Sequence, residues 1–318
     1  MHKADGEPQN LRFIDLFCGI GGFHVAAKIV CAERGVVPLC VFSSDIDSDA
    51  QRAYEANFGV KPRGDITKIP ASDIPCHDLL FAGFPCQPFS ICGEMKGFED
   101  ARGTLFFDIA RILAEKRPRA FVLENVKLLA NHNRGATLRR ILEVLEGLGY
   151  CVHYRVLNAL NFGLPQKRER IFIVGFRESV AFQFPAGGVP MRPLAELLEE
   201  DVSDYYLASE KIRQSRLEKY AGARPRETTL WHENKSGHIS AYPYSCALRA
   251  GASYNYLLLN GERRLTEREM LRLQGFPDTY KIVCSYGATR KQAGNSVATP
   301  CVAAVLRSVL TALDNEDG

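Results

Sequence analysis

Leu11-Arg12-Phe13-Ile14-Asp15-Leu16-Phe17-Cys18-Gly19-Ile20-Gly21-Gly22-Phe23 is the stretch that decides the fold. Residues 11–17 read as a strand, and the glycines then turn the chain into a helical stretch that ends near Arg34. Strand, glycine-rich turn and helix open a nucleotide-binding α/β unit. Glycine lets backbone come close to a ligand at a helix N-terminus, where unpaired N–H groups gather. The spacing is GxGG, not the GxGxxG of dinucleotide sites, so a diphosphate is not required. Taken alone, the turn reads equally well as one that holds no ligand.

Working outward, Val36 to Ser43 read as the second strand, with Asp45-Ile46-Asp47 at its tip. A carboxylate there, some 20 residues past a glycine turn, suits a ribose diol. Asp45 is the first past the strand and the favoured candidate; Asp47 reads as the cap of a helix over Ser48–Phe58. Asp65, in Gly64-Asp65-Ile66-Thr67, reads either as an Asx cap or as an acceptor for an adenine amino group.

Asp78 to Gly83 read as a short, buried third strand that runs into Phe84-Pro85-Cys86-Gln87-Pro88-Phe89-Ser90. Neither proline can donate to a sheet ladder, so the strand stops and Cys86 falls just beyond its carboxyl end. Ligands of open α/β sheets bind at that edge. Cys86 is therefore a candidate nucleophile, against the ordinary reading of a free cysteine as a small buried hydrophobe. Residues 90–103, with Gly93, Gly97 and Gly103, resemble a mobile lid, and a helix follows from Thr104 to about Lys116. Ala120 to Leu123 form a further strand with Glu124-Asn125-Val126 at its end. A carboxylate at that edge reads as a site residue or a cap. A helix over 135–148 and strands over 150–157 and 170–176 follow; Pro165-Gln166-Lys167-Arg168-Glu169-Arg170 between the strands reads as a solvated turn or as guanidinium groups reaching an anionic ligand.

The chain of 318 residues, 46% hydrophobic, is long enough for one large domain and a smaller one. A net charge of +3 excludes a tail-like basic binder. Ten cysteines without a CxxC pair argue against a structural zinc site and against thioredoxin chemistry, and fit free thiols in a reducing cytoplasm. The polar N-terminus has no signal-peptide core, and inspection finds no apolar run of membrane-spanning length. Composition changes after Phe184-Pro185. Residues 196–210 carry six acids and no bases, and 211–226 carry six bases against Glu218 alone. Trp231, His232, Tyr242, Tyr244, Tyr254 and Tyr256 follow. This pattern reads as a nucleic-acid surface or as an ordinary pair of solvated helices. A helix over 264–276 opens with Thr266 and Glu269 in a capping box, and 292–297 open a last apolar helix. The breaks divide the chain into a large domain over 1–184, a smaller one over 185–277 and a segment over 278–318.

Together DLFCGIGGF (15–23), GFPCQPFS (83–90), ENV (124–126), QKRER (166–170), RLTEREMLRLQGFP (264–277) and GNSV (294–297) resemble, in order and over nearly the whole chain, the DNA (cytosine-5) methyltransferase family of bacterial restriction-modification type. The resemblance implies a Rossmann-like α/β fold for S-adenosylmethionine-dependent methyl transfer, with a mixed, mostly parallel sheet; it makes 1–184 the catalytic and cofactor domain and 185–277 a small target-recognition domain, and returns the helix of 278–318 to the first. It implies that Cys86 adds to carbon 6 of cytosine, that Glu124 holds the N3 edge and amine, and that of the pair Arg168 and Arg170 one binds the base carbonyl and orients Glu124; Arg170 is favoured. It places the donor on Phe17, Gly19, Gly21, Gly22, Asp45 (ribose), Ile46 (adenine face), Asp65 (adenine amine) and Asn295. The substrate would be double-stranded DNA with the cytosine flipped out. A monomer is implied, with a cognate restriction endonuclease acting on the same site without a stable complex. Competing readings are a transfer-RNA methyltransferase, an inactive DNA-binding regulator of this fold, and a nicotinamide oxidoreductase. The long variable segment, the intact reactive residues and the GxGG turn argue against them respectively.

Overall fold

The computed structural model describes residues 10–85, 105–220 and 225–316. Cys86 and the lid expected over 90–103 lie outside the described residues. By compactness the chain forms two units: Met1–Leu157, Glu169–Ala186 and Cys301–Gly318, and Asn158–Arg168 with Gly187–Pro300. Residues 158–168 and 278–300 thus fall in the second unit, not where the composition breaks put them.

The first unit alternates strand and helix: β1 (Asn10–Leu16), α1 (Gly22–Glu33), β2 (Val37–Ser44), α2 (Ser48–Phe58), β3 (Leu79–Gly83), α3 (Leu105–Lys116), β4 (Ala120–Val126), α4 (Ala136–Gly147) and β5 (Cys151–Asn158). After β6 (Gln166–Lys167), which belongs to the second unit, β7 (Glu169–Phe176) returns to this sheet. The strand order is β2-β1-β3-β4-β7-β5. Pairing is parallel from β2 to β4, and β7 runs antiparallel to β4. The order reverses between β1 and β3, so the crevice at their carboxyl ends is the place where such a sheet takes its ligand.

Strands buried on both faces read as unbroken apolar runs. In β3, Leu79, Leu80, Phe81 and Ala82 are all fully buried. Leu80 and Ala82 join Ile14, Leu16, Phe121 and Leu123 in a cluster with Phe106, Ile109 and Leu113 of α3 and Leu138, Ile141 and Leu145 of α4. Phe81 faces the other way, stacked on Phe23 of α1 at 5.3 Å between centroids. Each such side chain contributes about 1.5–3 kcal/mol on burial.

The second unit contains α5 (Glu210–Lys219), β8 (Leu230–Glu233), β9 (Ile239–Tyr242), β10 (Ser245–Cys246), β11 (Leu257–Leu259), α6 (Glu267–Leu273) and α7 (Tyr286–Asn295). An antiparallel sheet β11-β8-β9 and the parallel pair β10-β6 are its strands. The predicted capping box is present on α6: Thr266 Oγ1 accepts from Glu269 N–H, and Glu269 accepts from Thr266 N–H. Sequence patterning misses α7, whose polar residues show no apolar stripe; Asn295 ends this helix and does not open the last one. That last helix, α8 (Thr299–Glu316), is tied to α1 by Arg307 donating to both oxygens of Glu33 at 2.7 Å. The stretch Tyr286–Asn315 is long and apolar enough to cross a membrane by length and composition, contrary to inspection, but 72% of its apolar window is buried inside the protein.

Candidate active site

The turn after β1 is shaped by left-handed backbone: Phe17 has φ 54°, Gly19 52° and Gly21 78°. A Cβ at Gly21 would sit 2.3 Å from Phe58 Cε2, so α2 closes on the turn from behind. A Cβ at Gly19 would meet nothing within 4 Å, so that face of the turn is open. Gly22 is buried as the first residue of α1.

Asp45 fixes this turn to the tip of β2. Its Oδ2 accepts from Gly19 N–H at 2.8 Å and its Oδ1 from Asp47 N–H at 2.8 Å. Asp47 is the cap of α2, accepting from Asp49 N–H and Ala50 N–H, as its position suggests. Ile46 between them is 77% exposed, an apolar side chain held in solvent beside a carboxylate. The segment before Asp65 is drawn alongside by Arg63 N–H to Ser43 O at 2.7 Å and Asp45 N–H to Arg63 O at 2.9 Å. Asp65 is the Asx cap of its turn: Oδ1 accepts from Thr67 N–H and Oγ1–H, which holds its carboxyl below the usual range. An open glycine turn, two carboxylates and an exposed aliphatic face suit an adenosine-bearing ligand. Behind the turn, Asp15 is fully buried, and neither carboxyl oxygen has a hydrogen-bond partner among the described residues. Burial, reinforced by the charge of Asp45, pushes its carboxyl well above the ordinary range.

Two strands from β1, at the end of β4, stands the second candidate edge. β4 continues three residues beyond its apolar run, so Glu124 lies within the strand, 8% exposed, paired in register with Gly83. Antiparallel β7 sets Arg170 opposite Val126 and hence diagonal to Glu124. A long side chain spans that diagonal. Arg170 Nε accordingly lies 3.0 Å from Glu124 Oε1. Asn125, 3% exposed, turns to the neighbouring strand and donates through Nδ2 to Phe84 O at 2.9 Å. It fixes the backbone two residues before Cys86. Sequence reading gives Asn125 no role, although an amide in an otherwise apolar buried strand is a signal in itself.

Arg168 is placed otherwise than its pairing with Arg170 suggests. It is 2% exposed, and its guanidinium donates to Leu248 O at 3.3 Å, Gly294 O at 3.2 Å and Ser296 O. The chain leaves β6 at this residue, so Arg168 clamps backbone of the second unit while Arg170 enters β7. Asn295, also in the second unit, is exposed at the end of α7. Trp231 is a core residue, 1% exposed, with its N–H on Thr229 Oγ1. In the basic stretch, Arg216 and Lys219 both bond Glu233.

Residues 11–311 match the family model for C-5 cytosine-specific DNA methylase. The chain is 57% identical over 294 residues to the Type II methyltransferase M.NgoBI of Neisseria gonorrhoeae, covering 92% of this chain and 90% of that protein. It is 52% identical over 303 residues to the Type II methyltransferase M.HaeII of Haemophilus aegyptius, covering 95% and 93%. In fold it is similar to the crystal structure of S. pombe Dnmt2 methyltransferase, with a TM-score of 0.71 at 20% identity over 96% of this chain and 99% of that one.

Proposed function

Because this chain belongs to the C-5 cytosine-specific DNA methylase family, we infer that it methylates carbon 5 of a cytosine in a short duplex sequence, as the modification enzyme of a restriction-modification system. The single observation that carries the chemistry is the Arg170–Glu124 pair, one strand from a β3 end that Asn125 holds just ahead of Cys86.

Carbon 5 of cytosine is a weak nucleophile. Thiolate addition at carbon 6 turns the ring into an enamine and makes carbon 5 nucleophilic. Cys86 forms that carbon–sulfur bond. Glu124, fixed by Arg170, holds the N3 edge and the exocyclic amine and favours proton gain at N3 as the bond forms. Arg170 Nη1 donates to Glu169 O at 2.9 Å, and Nη2 is the group assigned to the base carbonyl. S-adenosylmethionine, when bound, supplies the electrophilic methyl group. Asp45 takes its ribose, Ile46 covers the adenine face, Asp65 accepts from the adenine amine through the oxygen not engaged by Thr67, and Phe17, Gly19, Gly21 and Gly22 contact its adenosine and methionine parts. Asn295 is assigned to the same ligand from the family motif. Loss of the carbon 5 proton to a base then expels the thiolate.

The substrate is double-stranded DNA with the target base flipped out, at a cost of a few kcal/mol. The enzyme acts as a monomer in the cytoplasm. A cognate endonuclease cleaves the same unmodified site without forming a stable complex with it. The test is incubation with tritiated S-adenosylmethionine and unmethylated bacterial DNA, followed by 5-methylcytosine sequencing. Label at one short motif is expected. Label in transfer RNA alone, or bound donor product with no transfer, overturns the reading.

A further inference from the structure

Resting on that reading, we propose that Arg249 reads a guanine of the target sequence, with Tyr256 and His232 as the residues that aim its guanidinium. Arg249 is exposed on the second unit. Its guanidinium lies over the Tyr256 ring, with Cζ 4.7 Å from the centroid. Its Nη2 donates to His232 Nε2 at 3.1 Å, and its backbone N–H donates to Tyr256 Oη at 3.2 Å. Arginine cannot accept a hydrogen bond, so this contact requires a neutral His232 with its proton on Nδ1. Burial, together with the charges of Arg249 and Arg216, lowers the His232 pKa and keeps the ring in that form.

The backbone that carries Arg249 is braced from three sides. Gln166 Oε1 accepts from Leu248 N–H at 3.1 Å, and Arg168 donates to Leu248 O. Gly294 has no room for a side chain: a Cβ there would lie 2.4 Å from Ala250 N and 2.8 Å from Arg249 C. Two motifs far apart in sequence thus converge on one exposed residue. A reading group needs such support, because a recognition contact must be held to a fraction of an ångström.

The neighbouring arginines are committed elsewhere. Arg263 forks onto Glu269, Arg264 donates to Tyr205 O and Tyr206 O, and Arg290 donates to Ala252 O. Among the described residues the Arg249 guanidinium donates only to the His232 side chain, which leaves the remainder of its planar fork to solvent. A planar fork fits the O6 and N7 edge of guanine bidentately, and that pairing is the commonest specific contact in the major groove. Stacking on Tyr256 fixes the plane of the fork, which a lysine ammonium does not reproduce.

The test compares the wild type with Arg249→Lys, Arg249→Gln and His232→Leu on a duplex library randomised around the target, read by 5-methylcytosine sequencing, with thermal unfolding run on each. Arg249→Lys keeps the charge and is expected to lose about 10–100-fold of discrimination at one base pair, with preferences elsewhere retained. His232→Leu is expected to weaken discrimination at that same base pair. A loss of rate uniform over all sequences, as for a phosphate contact, or an unchanged preference overturns the assignment alone. Absence of DNA methylation by the wild type overturns the functional reading and this assignment with it. Arg249→Lys decides the matter even if Arg249→Gln does not fold.

Discussion

Removing Arg170 while keeping Glu124 should cost far more stability than removing both. The pair is 3.0 Å apart, with side chains 17% and 10% exposed. At an effective dielectric of about 20, Coulomb attraction at that separation is about 5–6 kcal/mol. Breaking a buried pair from one side typically costs about 3–5 kcal/mol, because the remaining charge is left uncompensated. Arg170→Met should therefore lose about 3–5 kcal/mol, and Glu124→Gln less, since an amide can stay beside a guanidinium. The double variant replaces both charges with neutral groups and should regain much of the loss, giving a coupling of about 2–4 kcal/mol. Urea unfolding of the four proteins at pH 7.5 measures it, with Tm as a second reading at roughly 2–3 °C per kcal/mol for a chain of this size. Methyl transfer should behave differently: if the two act as the one catalytic unit proposed above, the double should be scarcely slower than the slower single. A coupling under about 0.5 kcal/mol would refute the reasoning that β7 sets Arg170 across from Glu124 as a buried partner.

Cys86→Ser should abolish methyl transfer yet keep donor binding; stabilisation by S-adenosylhomocysteine, about 2.7 kcal/mol at 100 times Kd, checks this, and normal turnover contradicts it. Gly21→Ala combines a left-handed φ of 78° with a Cβ 2.3 Å from Phe58. A cost of about 2–5 kcal/mol in urea unfolding is expected, and a change under about 0.5 would show that the turn relaxes freely. His24 is buried against Phe58 and bonded to Tyr54 Oη, and burial lowers its pKa to about 3. The unfolded chain takes up a proton below about pH 6.5 that the folded chain refuses, so stability falls from there towards pH 3. His24→Phe should flatten that limb of a stability-against-pH curve, and an unchanged limb would place the acid sensitivity elsewhere.

Most of the first unit was legible because its signals are local. Leu79 to Ala82 form an apolar run between breakers, and Asp47 caps the helix that follows it, as Thr266 does in the second unit. The carboxyl-edge positions of Asp45 and Glu124 follow from strand order once the βαβ pattern is seen. Long-range geometry was not legible. Arg168 and Arg170 alternate in sequence like two residues on one strand face, but the chain changes unit between them, and only Arg170 stands beside Glu124. Helix α7 lacks an apolar stripe, and its one local signal was Ser285, which caps it by accepting from Ala288 N–H. The partners of Asn125 and Arg249 lie 41 and 17 residues away, beyond any local pattern. Gly294 is explained only by the backbone of Arg249 and Ala250 passing against it.

The central claim is that Cys86 attacks a cytosine whose carbon 5 is then methylated. The most direct measurement uses a duplex carrying 5-fluorocytosine at the target, incubated with enzyme and S-adenosylmethionine, denatured, digested and read by peptide mass spectrometry. Fluorine cannot leave as a cation, so the base stays bonded to the attacking sulfur after methyl transfer. A denaturation-resistant adduct is expected on the peptide bearing Cys86, formed only with the methyl donor present and absent in Cys86→Ser. An adduct on Cys92 or any of the other cysteines, or none with DNA that the enzyme does methylate, would contradict it.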